Sequence, residues 1–457
     1  MKNNQSLLSL FLLAFACFFS SISIAQQLEP ELKDLITKGL NKSHGVKIQY
    51  FNAEQAKVDQ KLAKSVFLPE VTFNGSYTRL DDNISFGDDT QNLLIATQKL
   101  LIKEAAGIAF NSPFPANIPL EPVPDLQNKN ILKSSMDVDW VLFSGFEASN
   151  ALKASKHKEA SLKYLAMAEE DKIALQIIET YDKLALVYAS KRVLTTLENF
   201  LNEQEHSVRK AIENGLATPI GRKKIELAQQ QLAGKMLEFN QSKKLLIEVL
   251  HQLTNESKEK LALLNPQLQA FTTDTLSKSE KRNEIKALEE AEKATLYKSK
   301  MEKSNFIPKL ALKGHYEFLK DDLSLLDPKW YVGVGVKWNV FDGNQARLKS
   351  EKSLIEGQKY RQQLEEADEM IALSIIKAEL TYKASLQNTD MIQKEIELAN
   401  DTYEMIDKQY RNDLASIKEV LDALNDLEKA NFKLQQSYYD QRRAVTNLLN
   451  AKGALTY

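Results

Sequence analysis

The sequence predicts a mainly α protein with a transmembrane β-barrel, built from a duplicated strand-strand-helix-helix repeat with four strands per chain. Three observations predict it: two phrases written twice, two long proline-free stretches, and four short segments of period-2 alternation. Lys64-Ser65-Val66-Phe67-Leu68-Pro69 returns as Lys303-Ser304-Asn305-Phe306-Ile307-Pro308. Trp140-Val141-Leu142-Phe143-Ser144-Gly145 returns as Trp338-Asn339-Val340-Phe341-Asp342-Gly343. The offset between the second phrases is 198, as is that between the breaks Asn214-Gly215-Leu216-Ala217 and Asn412-Asp413-Leu414-Ala415. One unit used twice in the same register makes the halves pseudo-equivalent partners.

The elements follow in order. Residues 1–25 read as an export signal: Lys2, the apolar run Leu7 to Phe19, and Ser23-Ile24-Ala25 before Gln26. The lone cysteine, Cys17, falls inside it; Ala16 before it permits a lipoprotein reading, against which stand Phe15 and its depth in the apolar run. The first repeat occupies 26–253, a polar linker 254–276, and the second repeat 277–457. A shorter helix precedes each strand pair, about Pro30 to Val66 and Ser277 to Asn305. The strands are placed at 71–80, 134–143, 310–319 and 330–341, each about the 9–11 residues a tilted membrane strand needs. Val71, Phe73, Gly75 and Tyr77 share one face, as do Met136, Val138, Trp140 and Leu142, and Leu310, Leu312, Gly314 and Tyr316. All three tryptophans, Trp140, Trp330 and Trp338, lie in these segments, where amphipathic rings mark a membrane interface. The proline-rich segment from Leu80 to Lys133 reads as an exposed loop at the far end of the barrel.

Long helical hairpins follow at 144–253 and 342–453. Heptad spacing shows in Leu194, Leu197, Leu201, Val208 and Ala211, in Ile225, Ala228, Leu232, Phe239 and Leu246, in Ile396, Ala399, Tyr403, Ile406 and Tyr410, and in Val420, Leu424, Leu427, Asn431, Leu434 and Tyr438. Leu373, Ile376 and Leu380 form a second apolar stripe, which implies a helix touching neighbours on two sides. At the breaks, Gly215 suits a left-handed helix end, Thr218 a cap and Pro219 the first helical position. Ser416 and Glu419 fit a capping box.

Composition bounds the function. Lys+Arg 60 against Asp+Glu 62 leaves no field directed at nucleic acid. The mean hydropathy is −0.37, and no stretch after the signal offers the roughly 20 apolar residues of a spanning helix. The five histidines lack ligand spacing, and no phosphate loop or nucleophile motif occurs, so neither an enzyme, a cofactor nor a metal is expected. Four strands cannot close a barrel, because closed ones begin at about eight. Two chains would give eight and three would give twelve, and twelve suits a conduit better because eight leave an interior filled by side chains. The expected trimer forms a 12-stranded barrel continued by a long α-helical barrel. A periplasmic coiled-coil scaffold or adaptor is the alternative, against which the duplicated strand pairs argue.

Phe-Leu-Pro or Phe-Ile-Pro before a strand, Trp-x-x-Phe-x-Gly entering a long helix and a Gly-Leu-Ala-type turn, all duplicated, resemble the outer-membrane efflux protein family, the TolC-like channels. The resemblance covers nearly the whole mature chain. It implies a homotrimer in outer-membrane lipid with a periplasmic extension, docking to a periplasmic adaptor (a membrane fusion protein) and an inner-membrane transporter, in efflux or type I secretion. It implies that Gly215, Leu216, Ala217, Thr218, Leu414, Ala415 and Ser416 are adaptor-contact tips. It also implies that Glu419 and Asp422, in Glu419-Val420-Leu421-Asp422, form an acidic ring at the periplasmic gate. Without the resemblance, Glu419 completes its capping box and Asp422 is solvated.

Overall fold

The computed structural model describes residues 29–215, 218–268, 279–320, 328–412 and 414–457. The segment expected to be an export signal, with Cys17, and Leu216, Ala217, Asp413 and part of the linker lie outside the described residues. The chain divides into two compact units, one gathering 56–157 and 293–358 and the other the remainder.

The first unit holds the strands. Helix α1 (Pro30–Lys42) and helix α2 (His44–Ser65) precede β1 (Glu70–Arg79), so the single opening helix expected is two, parted at Ser43. Then come α3 (Asp88–Ala105) and β2 (Asn130–Phe143). After the helix that opens the second repeat, β3 (Lys309–Lys320) and β4 (Trp330–Lys337) complete an antiparallel sheet in the order β1-β2-β3-β4. The two hairpins are the same object: Phe73 pairs Met136 as Leu312 pairs Val334, and Val71 pairs Val138 as Leu310 pairs Val336. Two corrections arise here. β4 stops at Lys337, leaving Trp338 just beyond it. The segment read as a loop contains the 18-residue helix α3, because Leu93, Leu94, Leu100 and Leu101 recur at helical spacing.

The second unit is built on hairpins. Helix α4 (Glu147–Glu213) and helix α5 (Pro219–Thr254) form the first; α6 (Lys258–Leu263) and α7 (Asn283–Lys303) follow; helix α8 (Gln345–Arg411) and helix α9 (Ile417–Ala451) form the second. The heptad stripes are its core: Leu194, Leu201, Leu232 and Phe239 pack with Tyr403, Val420, Leu424 and Leu427. A second cluster packs Leu32, Leu35 and Ile36 of α1 on Ile177, Ile178, Tyr181 and Leu184 of α4 and on Leu250 of α5. Burying each such aliphatic chain contributes about 1.5–3 kcal/mol. The expected second stripe is bare in the single chain, with Leu373 67% and Leu380 62% exposed. The linker is less polar in practice than in composition, since Leu261 and Leu268 are buried.

Candidate functional site

The duplicated phrases are one joint made twice. The Trp140 indole N–H donates to the Phe67 carbonyl at 2.9 Å, and the Trp338 indole to the Phe306 carbonyl at 3.1 Å. Each tryptophan thereby ties the end of one strand to the Phe-Leu-Pro or Phe-Ile-Pro turn that starts its hairpin partner. The Ser144 hydroxyl accepts from the Ala148 N–H at 3.2 Å, and the Asp342 carboxylate from the Ala346 N–H at 3.0 Å, satisfying a free donor at the start of α4 and of α8. Between strand and helix the chain makes two left-handed steps, at Gly145 (φ 63°) and Phe146 (68°), and at Gly343 (67°) and Asn344 (66°). The repetition of Phe-x-Gly after each tryptophan thus has a mechanical cause.

Pairing alternation gives the sheet two unlike faces. Val71, Phe73, Met136, Val138, Leu312, Tyr316, Val334 and Val336 share one, almost without charge. The other carries Asp137, which accepts from Asn74 Nδ2 at 2.7 Å and meets His315 Nδ1 at 2.7 Å, with Tyr331 stacked on the imidazole at 5.2 Å. Lys313 stands 3.4 Å from Asp139 on the same face. A polar face opposite an apolar one is the pattern of a membrane strand between lumen and lipid. His315 is therefore no isolated surface histidine; it is held in a cross-strand pair that spacing alone did not reveal. Among the described residues β1 and β4 are the open edges of the sheet, and their apolar residues are barer than those of β2 and β3, with Phe73 65% and Val336 68% exposed. Trp140, Trp330 and Trp338 are all exposed.

The hairpin tips come together in the second unit. Gly215 ends α4 at φ 73°, and Pro219 opens α5, but Thr218 occupies the cap position without a side-chain bond. Leu414 is 79% exposed. The Ser416 hydroxyl accepts from the Glu419 N–H, and Glu419 accepts from the Ser416 N–H at 2.6 Å, closing the capping box. The Ser416 N–H, together with the Ser416 hydroxyl donating to the same carboxylate at 2.8 Å, holds the Glu419 carboxyl below its ordinary value. Asp422 lies at the rim of a groove of about 460 Å³ between α5 and α9, together with Lys224, Lys235 and Lys418. Glu428, nearly buried there, pairs with Lys235. Deeper, Gln204 Nε2 donates to Asp407 at 3.0 Å, which also holds Arg411 at 2.8 Å. Sequence reasoning missed the pairs Gln204–Asp407, Lys235–Glu428 and the buried Asp182–Arg442 (2.9 Å), because each joins residues more than 190 positions apart.

A sheet with one apolar and one polar face, joined by capped turns to long antiparallel hairpins, defines the class: a duplicated strand-and-hairpin fold. Residues 277–454 match the family of outer membrane efflux proteins. No curated protein matches the chain. Among solved structures it is similar to the outer membrane protein VceC from Vibrio cholerae (15% identity over 93% of this chain and 96% of that one, TM-score 0.71). It is similar too to the Campylobacter jejuni CmeC outer membrane channel (16%, 93% and 86%, 0.69) and to the open state of the Neisseria gonorrhoeae MtrE outer membrane channel (13%, 93% and 91%, 0.66). The family match is thus carried by the sequence of the second repeat, and the likeness of the whole chain to these outer membrane channels is one of fold.

Proposed function

We propose that the protein is an outer-membrane efflux channel, a homotrimer that passively conducts substrates handed over by an inner-membrane transporter and a periplasmic adaptor. The observation that carries it is the sheet with unlike faces and two open edges. Unpaired strand edges in lipid are costly, and four strands are too few to close on themselves. Three copies supply twelve strands around a polar lumen, their apolar faces in lipid and the exposed tryptophans at its boundaries. The bare stripe Leu373, Ile376 and Leu380 then meets helices of neighbouring copies in the α-helical barrel.

Pseudo-equivalence supplies the contact in detail. If β4 meets β1 of the next copy as β2 meets β3, the pair Met136–Tyr316 maps onto Val334 and Tyr77 through the repeat offsets of 198 and 239. Val334→Cys with Tyr77→Cys is expected to yield covalent trimers on oxidation in outer-membrane fractions. Monomers alone would overturn the ring.

At the other end, Gly215, Leu216, Ala217, Thr218, Leu414, Ala415 and Ser416 form the adaptor tips, and the groove between α5 and α9 continues that surface. Glu419 and Asp422, three residues apart near one helix face, supply six carboxylates in a trimer and attract cations to the gate. Glu419 serves cap and ring together: its carboxyl, held low by Ser416, stays charged well into acid. Replacing both with their amides is expected to weaken block by multivalent cations in single-channel recordings about ten-fold. Unchanged block would remove the ring and leave the channel standing.

A further inference from the structure

The helix α3 has no counterpart in the second repeat, where β3 and β4 are joined by only a short connection. It belongs to a small ordered lobe. Lys103 Nζ donates to the carbonyls of Phe110 (3.1 Å) and Ser112, Gln91 Nε2 donates to the Phe86 carbonyl at 2.8 Å, and Asp125 accepts from Asn83 and Ser85. Ile95 and Ile102, seven apart, are half-buried on one side of the helix. Leu93, Leu94, Leu100 and Leu101 form the other side and are 66%, 41%, 42% and 63% exposed. None of the four is buried, and Leu93 and Leu101 are the barest. A helix tied near both ends by Gln91 and Lys103, half-buried on one side and displaying a leucine stripe on the other, is suited to a partner.

We propose that this leucine face packs head-to-tail against α3 of the neighbouring copies, so that three helices close a lid over the outer mouth of the pore. The inference rests on the ring proposed above. Position favours copies of this chain, because α3 starts at Asp88, shortly after the edge strand β1 ends at Arg79, on the strand that the ring brings against a neighbour. Size favours them too. One short helix face falls well below the roughly 800 Å² per partner of a stable complex, so a free partner would not stay. Helices already tethered by a closed barrel meet at effective concentrations on the order of millimolar. Charge sets the direction: Asp88 and Asp89 stand at the amino end, and Lys99 and Lys103 beside Glu104 near the carboxyl end. Head-to-tail contact brings the two acids of one copy to Lys99 of the next, while Lys103 holds the carbonyls of Phe110 and Ser112 in its own lobe, and a heterologous contact of this kind closes into a ring.

Two measurements on the full-length channel test this. A chain carrying Leu94→Cys and Leu101→Cys is expected to form disulfide-linked trimers, and the four-fold change Leu93, Leu94, Leu100 and Leu101→Ser to raise single-channel conductance about two-fold while trimers persist. Absence of the cross-link while Val334→Cys with Tyr77→Cys still forms trimers overturns the lid and spares the ring. Absence of both overturns the ring itself. Protection of Leu94→Cys from a water-soluble maleimide in lipid vesicles but not in detergent would place the face on lipid and overturn the lid as well.

Discussion

Arg442→Met is expected to destabilise the hairpin unit by about 3–5 kcal/mol, the cost of leaving a buried charge without its partner. Asp182 on α4 is 1% exposed, and its carboxylate receives both Nε and Nη2 of Arg442 from α9 at 2.9 Å. Around the pair stand Glu29, 3.8 Å from Arg442 and bonded to the Tyr181 hydroxyl, then Arg443 with Glu179, and Lys183 on the Glu179 side. Burial pushes the Asp182 carboxyl above its ordinary 3.8, and Arg442 opposes that push. Removing Arg442 leaves burial to dominate, which gives the defect a sign in pH. An acid raised in the folded state takes up its proton there first, so the variant's penalty vanishes below 3.8 and grows as pH rises above it. Urea unfolding of the helical signal in detergent should show the variant closest to wild type in acid and farthest at neutral pH. The double replacement Asp182→Leu with Arg442→Met should recover most of the loss, since apolar packing replaces a buried pair at little cost. A pH-independent defect would mean that Arg442 acts through packing alone.

What was legible in the sequence was whatever depends on local periodicity or on duplication. The four strands, both long hairpins, the heptad core and the Ser416–Glu419 box follow from patterns within a few turns of chain. Thr218 shows where such reasoning stops: the residue type and position suit a cap, yet its hydroxyl makes no bond to the helix. Trp338 sat in an alternating run, but the residues after Lys337 leave the sheet to make the turn through Asp342 and Gly343. The prolines between Pro113 and Pro124 mark the segment as irregular, while the leucines of α3 lie N-terminal to them at helical spacing. Ties such as Asp182–Arg442, Gln204–Asp407 and His315–Asp137 were invisible because tertiary packing brings their members together, and no spacing in one sequence encodes that.

Gly343 offers the sharpest test of the ring, because the structure contains its twin in a different situation. At Gly145 an added Cβ would stand 3.0 Å from the Ile307 carbonyl oxygen and 3.3 Å from that of Ser304, while at Gly343 it would meet nothing within 4 Å. Both glycines are left-handed and both end the same phrase, so the difference is one of neighbours: Gly145 faces the next repeat of its own chain, and Gly343 faces an open edge. Leu68, which corresponds to Ile307, is correspondingly bare at 66% exposure. In a closed ring Gly343 would meet the carbonyls of Leu68 and Ser65 from the neighbouring copy. Gly343→Asn separates the two effects, since asparagine tolerates the left-handed conformation at a cost of well under 1–2 kcal/mol but brings a side chain into the contact. The expected result is a chain that folds and binds detergent normally, with SDS-resistant trimer reduced at least about ten-fold, about 1.4 kcal/mol. Gly107→Asn, also left-handed and also open, serves as the control and should leave the trimer intact. Trimers of wild-type abundance in Gly343→Asn would show that the copies do not meet as the repeats do, and the inter-chain register drawn from β2 and β3 would fall with that contact.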